Sequence, residues 1–411
     1  MTTFENSKSV QQPKLTTTAE LYVDPKTGKV RQAGADGAGA FVVEFKEMAE
    51  QNLFAFASGI LGYSLLNQSF HLPRLNAIQQ VPPYRKLELW PRGHLKTTTC
   101  KALLIHILIQ PDGANLYFPD GIGDLGHSQG TSTRCLLSSK TSQLAQSTLS
   151  EVMQIFENNQ LLRGLWPHAV WEDSRRQARV WNAERIELPR KFIGRESTIQ
   201  TIGVGGGVTG HHFNVLYHDD LIDINDANSP TTMQTAIDWF RASRALADNP
   251  ANTLEFITGT RWAVHDLYEW VERNDPSVEV TTRRMVEGGA VIFPERYSVE
   301  KAPGRASVAE LRREHGVMFP LLYMNSAADP ELTDFDMSKV RFFKIEGDEI
   351  VFDEDERDAV LTEMQSAVAA RPQAHWKPPA PRRTLFGQQE NAYDILAARQ
   401  DYFLTGGAKS S

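Results

Sequence analysis

The chain has 411 residues, 41% hydrophobic and 23% charged, enough for one large domain with extensions or for two domains around a real core. Lys and Arg number 43 against 51 Asp and Glu, a formal net charge of -8. That balance excludes a chain coated with nucleic acid along its length, but it leaves room for a locally basic channel on one face.

In chain order, residues 1–40 are polar and read as a flexible segment, with "GADGAGA" (Gly34 to Ala40) as a linker. "MTTFENSKSVQQPK" lacks the basic-then-apolar pattern of a secretory signal. From Phe41, apolar residues recur at helical spacing, so 41–83 is expected as a helical extension. Its most apolar part, "LFAFASGILGYSLL" from Leu53, is shorter than the roughly 20 residues needed to span a bilayer, and no membrane anchor is expected. Beyond Tyr84, strand-like and helix-like runs alternate: "KLELW", "TTTCKALLIHIL", "TRCLLSS", "SQLAQSTLSEVMQIFE", then the strands "ARVWNAERIELP", "STIQTIGVGG", "FNVLYHDD" and "NTLEFITGTRW". This rhythm predicts an α/β fold with a mostly parallel central sheet flanked by helices.

Gln110 to Gly130 is rich in Gly, Asp and Pro and reads as an inserted surface loop. Residues 328–411 carry the charge run "DEDERD" and the proline-rich "RPQAHWKPPAPRR", and read as an appended helix and a partly disordered tail. Cys100 and Cys135 are too few for a disulfide framework or a cysteine zinc site, and are expected as buried thiols in a reducing compartment.

Three stretches carry chemistry. In "LELWPRGHLKTTTCKALLIHIL" a strand runs through a tight turn into a helix that opens on Lys96. A phosphate site needs a strand, a loop of inward backbone N–H groups and a lysine at a helix N-terminus. Gly93, His94, Leu95, Lys96, Thr97 and Thr98 are the candidate nucleotide-binding residues, with Lys96 on the β- and γ-phosphates and the Thr97 hydroxyl in the Mg²⁺ shell. Gly93 is the only glycine, and Leu95 stands where the usual pattern has its last one.

In "FNVLYHDD" a buried strand delivers two acids to its C-terminal end, where α/β sheets hold ligands. Asp219 is the candidate metal carboxylate and Asp220 the candidate base. "FITGTRW" ends another strand in Thr258, Gly259, Thr260 and Arg261, an arrangement that can sense a terminal phosphate and pass its loss to a neighbouring helix.

With these three in order, the sequence resembles the ATPase part of the large terminase subunit of tailed bacteriophages over Tyr84 to Asn325. "WPRGHLKTT" is similar to the family's Walker A segment, which opens on Pro-Arg-Gly and in several members tolerates a leucine before the lysine. "GVTGHHFNVLYHDDLID" is similar to the segment ending in the Asp-Asp strand, with His211 where arginine is frequent and Leu221 where proline often follows. "NSPTTMQTAIDWFRASRALADNPANTLEFITGTRWAVHDLYEWV" looks like the long helix and coupling motif. "VIFPERYSVE" and "LRREHGVMFPLLYMN" resemble the segments that close the domain.

The resemblance implies a P-loop NTPase domain of the ASCE/RecA-like kind over 84–327, binding ATP and Mg²⁺. It gives Asp220 the water-activating role usually held by a glutamate, and it places Arg92 where the family has an arginine that stabilises transition-state charge. Arg175 and Arg176 are candidates for an arginine supplied to a neighbouring subunit. The implied partners are double-stranded DNA held by its backbone, a portal protein, a small terminase subunit and further copies in a ring, a pentamer by resemblance. The implied setting is the host cytoplasm, at the procapsid portal. A complete large terminase continues into a two-metal nuclease domain. Residues 326–411 offer only the clustered acids of "EIVFDEDERD", so cleavage is expected elsewhere: either the chain is shortened, or the gene is split and a separate subunit carries the nuclease. Two alternatives stay open, a helicase-like DNA translocase and a nucleotide-binding adaptor without turnover.

Overall fold

The computed structural model describes residues 21–23, 30–32, 38–111, 116–119, 130–190, 194–207, 210–326, 343–346 and 349–352. The chain divides into a unit spanning Met1–Leu332 and a second spanning Thr333–Ser411.

The first unit begins with β1 (Leu21–Val23) and β2 (Val30–Gln32), which pair antiparallel, followed by α1 (Ala38–Gln51), α2 (Leu53–Ala55) and α3 (His71–Gln79). β1, β2 and the first residues of α1 thus fall within the 1–40 segment expected to be flexible. Leu, Tyr and Val favour a strand here, and the alanines of "GADGAGA" let α1 start inside the supposed linker.

The core follows as β3 (Arg85–Leu89), α4 (Lys96–Ile109), β4 (Cys135–Ser139), α5 (Ser142–Asn158), α6 (Gln160–Leu165) and α7 (Ser174–Gln177). It continues through β5 (Arg185–Ile186), β6 (Ile199–Gly203), β7 (Val215–Asp219), α8 (Ile224–Ala227) and α9 (Pro230–Ser243). β8 (Leu254–Gly259), α10 (Leu267–Asn274) and β9 (Glu279–Thr282) complete it.

Seven strands form one sheet in the order β5-β6-β4-β7-β8-β3-β9. All neighbours are parallel except β5, which runs antiparallel to β6. Side chains alternate across the sheet. Cys135, Leu137, Val215, Tyr217, Leu254 and Phe256 join the buried cluster that includes α4 and α5, whereas Leu87, Leu89 and Ile257 pack with α9 and α10. The expected α/β sheet flanked by helices is what forms.

Nearly every residue of α4 is buried, because the N-terminal helices cover the side turned away from the sheet. His106 on α4 meets the Ala49 carbonyl at 2.8 Å, and Phe56 lies edge-on to Trp166 with ring centroids 5.8 Å apart. Lys86 reaches from β3 to the last carbonyls of α3, donating to Ala77 at 2.5 Å and Ile78 at 3.1 Å. Helix C-termini favour such a cation, while burial lowers its pKa to about 8. The helical extension is thus an integral layer of the core.

Two further expectations change, and one strand is added. Of the Gln110 to Gly130 insertion, residues 112–115 and 120–129 lie outside the described residues, but Tyr117 and Phe118 are buried and the Tyr117 hydroxyl meets His106 Nδ1 at 2.6 Å. The part that can be described is anchored by two aromatics that prefer the core to solvent. "ARVWNAERIELP" contributes only the two residues of β5, extended by a bridge from Trp181 to Ile186, because edge strands are kept short. β9, in "VEVTT", is an extra strand whose polar residues gave no apolar signal.

After β9, Met285, Phe293, Tyr297, Leu311, Phe319, Leu322 and Tyr323 form a small core with α11 (Val308–His315) and α12 (Phe319–Met324). In the second unit the described residues make an antiparallel hairpin, Phe343–Glu346 with Glu349–Phe352. The "DEDERD" run, the proline-rich stretch and the helix expected there lie outside the described residues.

Candidate functional site

β3 ends at Leu89, and the chain turns through Trp90 to Leu95 before α4 begins at Lys96. Leu95 has φ 64° and ψ 28°, the left-handed conformation that glycine adopts without strain. The backbone bend expected of the missing glycine is therefore present, held by a leucine whose half-buried side chain packs against two hydrophobic clusters. Gly93 has φ 77°, and a Cβ there would sit 2.2 Å from the Tyr297 hydroxyl, so only glycine fits. Leu95 caps α4 without a side-chain hydrogen bond, and the first-turn N–H groups of a helix have no intrahelical acceptor.

Lys96 is 8% exposed, and its ammonium donates to the Gly259 carbonyl at 2.7 Å and to the Thr260 hydroxyl. It lies 3.6 Å from Oδ1 of Asp220. β8 separates β3 from β7 in the sheet, so the lysine after one strand and the acids after the other meet over the end of β8.

Asp219 is 5% exposed and accepts a 2.8 Å hydrogen bond from the Thr258 hydroxyl, its register partner on β8. The Thr97 hydroxyl is also within hydrogen-bonding reach of this carboxyl. Burial and then the neighbouring Asp220 push the Asp219 pKa up to about 6, against the opposing pull of Thr258, Lys96 and Thr97. Asp220 has φ 46°, and its amide donates to the Thr258 carbonyl at 3.0 Å. Its inner oxygen, Oδ1, is buried without a hydrogen-bond partner, although the side chain as a whole is 43% exposed. An orphaned carboxylate oxygen beside a lysine is poised to accept a proton or a hydrogen bond from something in the cleft.

Lys96 and Asp220 open onto a cleft of about 390 Å³, bounded by Arg92, Gly93, Leu95 to Thr98, Asp220, Thr260, Trp262 and Arg296. Of the sequence candidates, the structure brings together Arg92, Gly93, Leu95, Lys96, Thr97, Thr98, Asp220 and Thr260 around that cleft, with Asp219 and Thr258 behind it.

Two candidates are placed differently. His94 is fully buried, stacks on Tyr297 at 5.0 Å and 14°, and is kept neutral by burial, with a pKa lowered to about 3. Its aromatic ring found a packing partner, so its side chain does not join the cleft. Arg261 is 9% exposed and bound to Asp266 Oδ2 at 3.1 Å and the Val264 carbonyl at 3.1 Å. Its guanidinium secures the turn into α10, while its backbone N–H donates to Asn325 at 3.2 Å. Gly259 carries no side chain because a Cβ would lie 2.2 Å from the Tyr268 ring.

Sequence reasoning gave no site role to Trp262, at the end of "FITGTRW", or to Arg296 and Tyr297, which come from a later segment. "VIFPERYSVE" was legible only as a closing segment, and nothing in its spacing points to the phosphate loop. Arg175 and Arg176 are exposed on α7 and take no part in the cleft. Cys100 and Cys135 are buried free thiols whose pKa burial pushes well up.

The donor set suits Mg²⁺, which takes oxygen ligands and is commonly held by one or two carboxylates together with substrate phosphates. Thr97 and Asp219 supply such oxygens. Among the described residues there is no group of three or more His, Cys, Asp or Glu that could hold a metal unaided, and none of the described helices is long and apolar enough to cross a membrane. No known protein-family model matches the chain, and no curated protein matches it.

Proposed function

We propose that the chain is an ATP-hydrolysing motor subunit of the terminase type, a P-loop NTPase of the ASCE/RecA-like kind that moves viral double-stranded DNA into a procapsid. The observation that carries the ATPase part is the convergence of Lys96, Thr97 and Asp220 on one cleft, with Asp219 directly behind it within reach of the Thr97 hydroxyl. The DNA part rests on the resemblance of the motifs in order.

The triphosphate lies against the first turn of α4, where free N–H groups and Lys96 receive its negative charge. Thr97 and Asp219 would hold Mg²⁺, which when bound would supply positive charge against the phosphate oxygens. Asp220 accepts a proton from water as the water oxygen bonds to the γ-phosphorus. The bond to the bridging oxygen breaks and its electron pair leaves with ADP. Arg92 stabilises the charge spread over the transferring group.

Coupling runs through β8. When Lys96 turns to a phosphate, its partner Thr260 is released, and the adjoining Arg261 N–H holds Asn325, which donates to the Arg283 carbonyl at 2.9 Å. The end of β8 is thereby tied to the closing segment. The portal, a small terminase subunit, a ring of copies and a separate nuclease subunit are the partners such a motor takes.

The test is ATP hydrolysis by the purified chain with Mg²⁺, with and without double-stranded DNA over a salt series. Stimulation by DNA of any sequence that fades as salt rises supports a motor that grips the backbone. Hydrolysis indifferent to DNA argues against the motor, and ATP binding without hydrolysis identifies an adaptor.

A further inference from the structure

Arg296 belongs to none of the motifs that define the cleft, yet it lies on its rim. It follows Phe293, Pro294 and Glu295 in a turn where the amides of Arg296 and Tyr297 donate to the Phe293 carbonyl at 3.2 and 3.0 Å. The residues on either side are fixed. Glu295 accepts from Asn67 at 2.6 Å, and Tyr297 stacks on His94 while donating to the Arg92 carbonyl at 3.3 Å. Phe293 packs on both His94 and His71, with ring centroids 5.6 and 5.0 Å apart.

The phosphate loop and the Phe293–Tyr297 turn are therefore one packed body. Arg296 itself spends one N–H on the Gly93 carbonyl at 3.1 Å and is otherwise exposed. Among the described residues no carboxylate forms an ion pair with it. A guanidinium held at one edge, with its other donors turned to an open cleft, matches the geometry by which arginine grips phosphate oxygens. Its anchor on Gly93 holds it on the rim of the same cleft that Lys96, Asp220 and Thr260 line, where the terminal phosphate would meet both the lysine and the candidate base.

We infer that Arg296 is a second phosphate-binding arginine, supplied in cis by the closing segment, that contacts the terminal phosphate of a nucleoside triphosphate and makes the site prefer triphosphate over diphosphate. This rests on the ATP reading above. It also means that occupancy by triphosphate, but not by diphosphate, is felt directly by the segment that carries Met285 to Tyr323.

The test uses the full chain and measures equilibrium binding of Mg-ATP and Mg-ADP to the unsubstituted protein, Arg296→Ala, Arg296→Lys and Lys96→Ala. Arg296→Ala is expected to weaken ATP by about tenfold, the loss of one charge-assisted contact, and to leave ADP within about twofold. Arg296→Lys recovers part of the difference, and the nucleotide-free melting temperatures of both Arg296 variants match that of the unsubstituted chain. Equal effects on ATP and ADP, or no effect on either, in a protein whose Lys96→Ala variant loses both, would overturn the inference and leave the nucleotide site standing. Failure of the unsubstituted protein to bind either nucleotide would overturn the site itself and the inference with it.

Discussion

The hydroxyl of Thr258 donates to Oδ1 of Asp219 at 2.8 Å across two adjoining parallel strands, and the Tyr217 hydroxyl meets that of Thr258 at 3.0 Å. The carboxyl is thus held in an apolar sheet by neighbours too few to offset its burial, and its pKa rises from 3.8 to about 6. Because the folded pKa lies above the unfolded one, the folded chain keeps a proton that the unfolded chain has released. The stability this group contributes is highest below about pH 4 and falls as pH rises through about 6, by on the order of 2–3 kcal/mol. Asp219→Asn should remove that fall. Urea unfolding of the metal-free protein at pH 8 should show the variant more stable by roughly 2 kcal/mol, while Mg-ATP should no longer raise its melting temperature.

At Leu95 the usual helix ranking should invert. Ala keeps the left-handed backbone strain and loses the packing, whereas Gly loses the packing and sheds the strain. Leu95→Gly should therefore be more stable than Leu95→Ala by about 1 kcal/mol in denaturant unfolding. If Ala is the more stable of the two, the backbone at 95 is not left-handed in solution.

Much of this was legible in the sequence, and the parts that were not share a cause. Lys96 to Ile109 and Ser142 to Asn158 were readable as helices because their apolar runs are long, and β4, β7 and β8 because theirs are short and bounded by turn residues. Lys96, Asp219 and Asp220 were readable from local chemistry. The order of the strands, with β8 between β3 and β7, is set by contacts far apart in sequence, and so is the arrival of Arg296 and Tyr297 at the loop. The burial of the His94 ring was illegible for the same reason: its stacking partner lies in a segment some two hundred positions further on.

Gly259 and Tyr268 form a tight pair, since the Tyr268 hydroxyl accepts from the Leu221 amide at 3.1 Å while its ring fills the space a Cβ would take at Gly259. Gly259→Ala should destabilise the chain by about 3 kcal/mol through overpacking. Combining it with Tyr268→Ala should destabilise less than the sum of the two single changes, which a double-mutant cycle in urea reads directly. Strict additivity would mean that the two residues do not touch.

Arg261 and its neighbour Thr260 should separate structure from turnover. Arg261→Ala strands the buried Asp266 and should cost about 3 kcal/mol of stability. Thr260→Val removes a partner of Lys96 and should lower ATP turnover about tenfold while stability stays within about 1 kcal/mol. A stable Arg261→Ala variant that has lost turnover would instead place the arginine in the chemistry.

The most direct measurement is Mg-ATP binding and hydrolysis by Asp220→Asn beside Lys96→Ala and the unsubstituted chain. Asp220→Asn should bind Mg-ATP about as tightly as the unsubstituted protein while turnover falls by roughly 10²–10⁴, the loss of a general base, and Lys96→Ala should lose binding itself. Turnover unchanged by either substitution, or an unsubstituted chain that neither binds nor hydrolyses ATP, would contradict the claim that these two residues face each other across a nucleotide site.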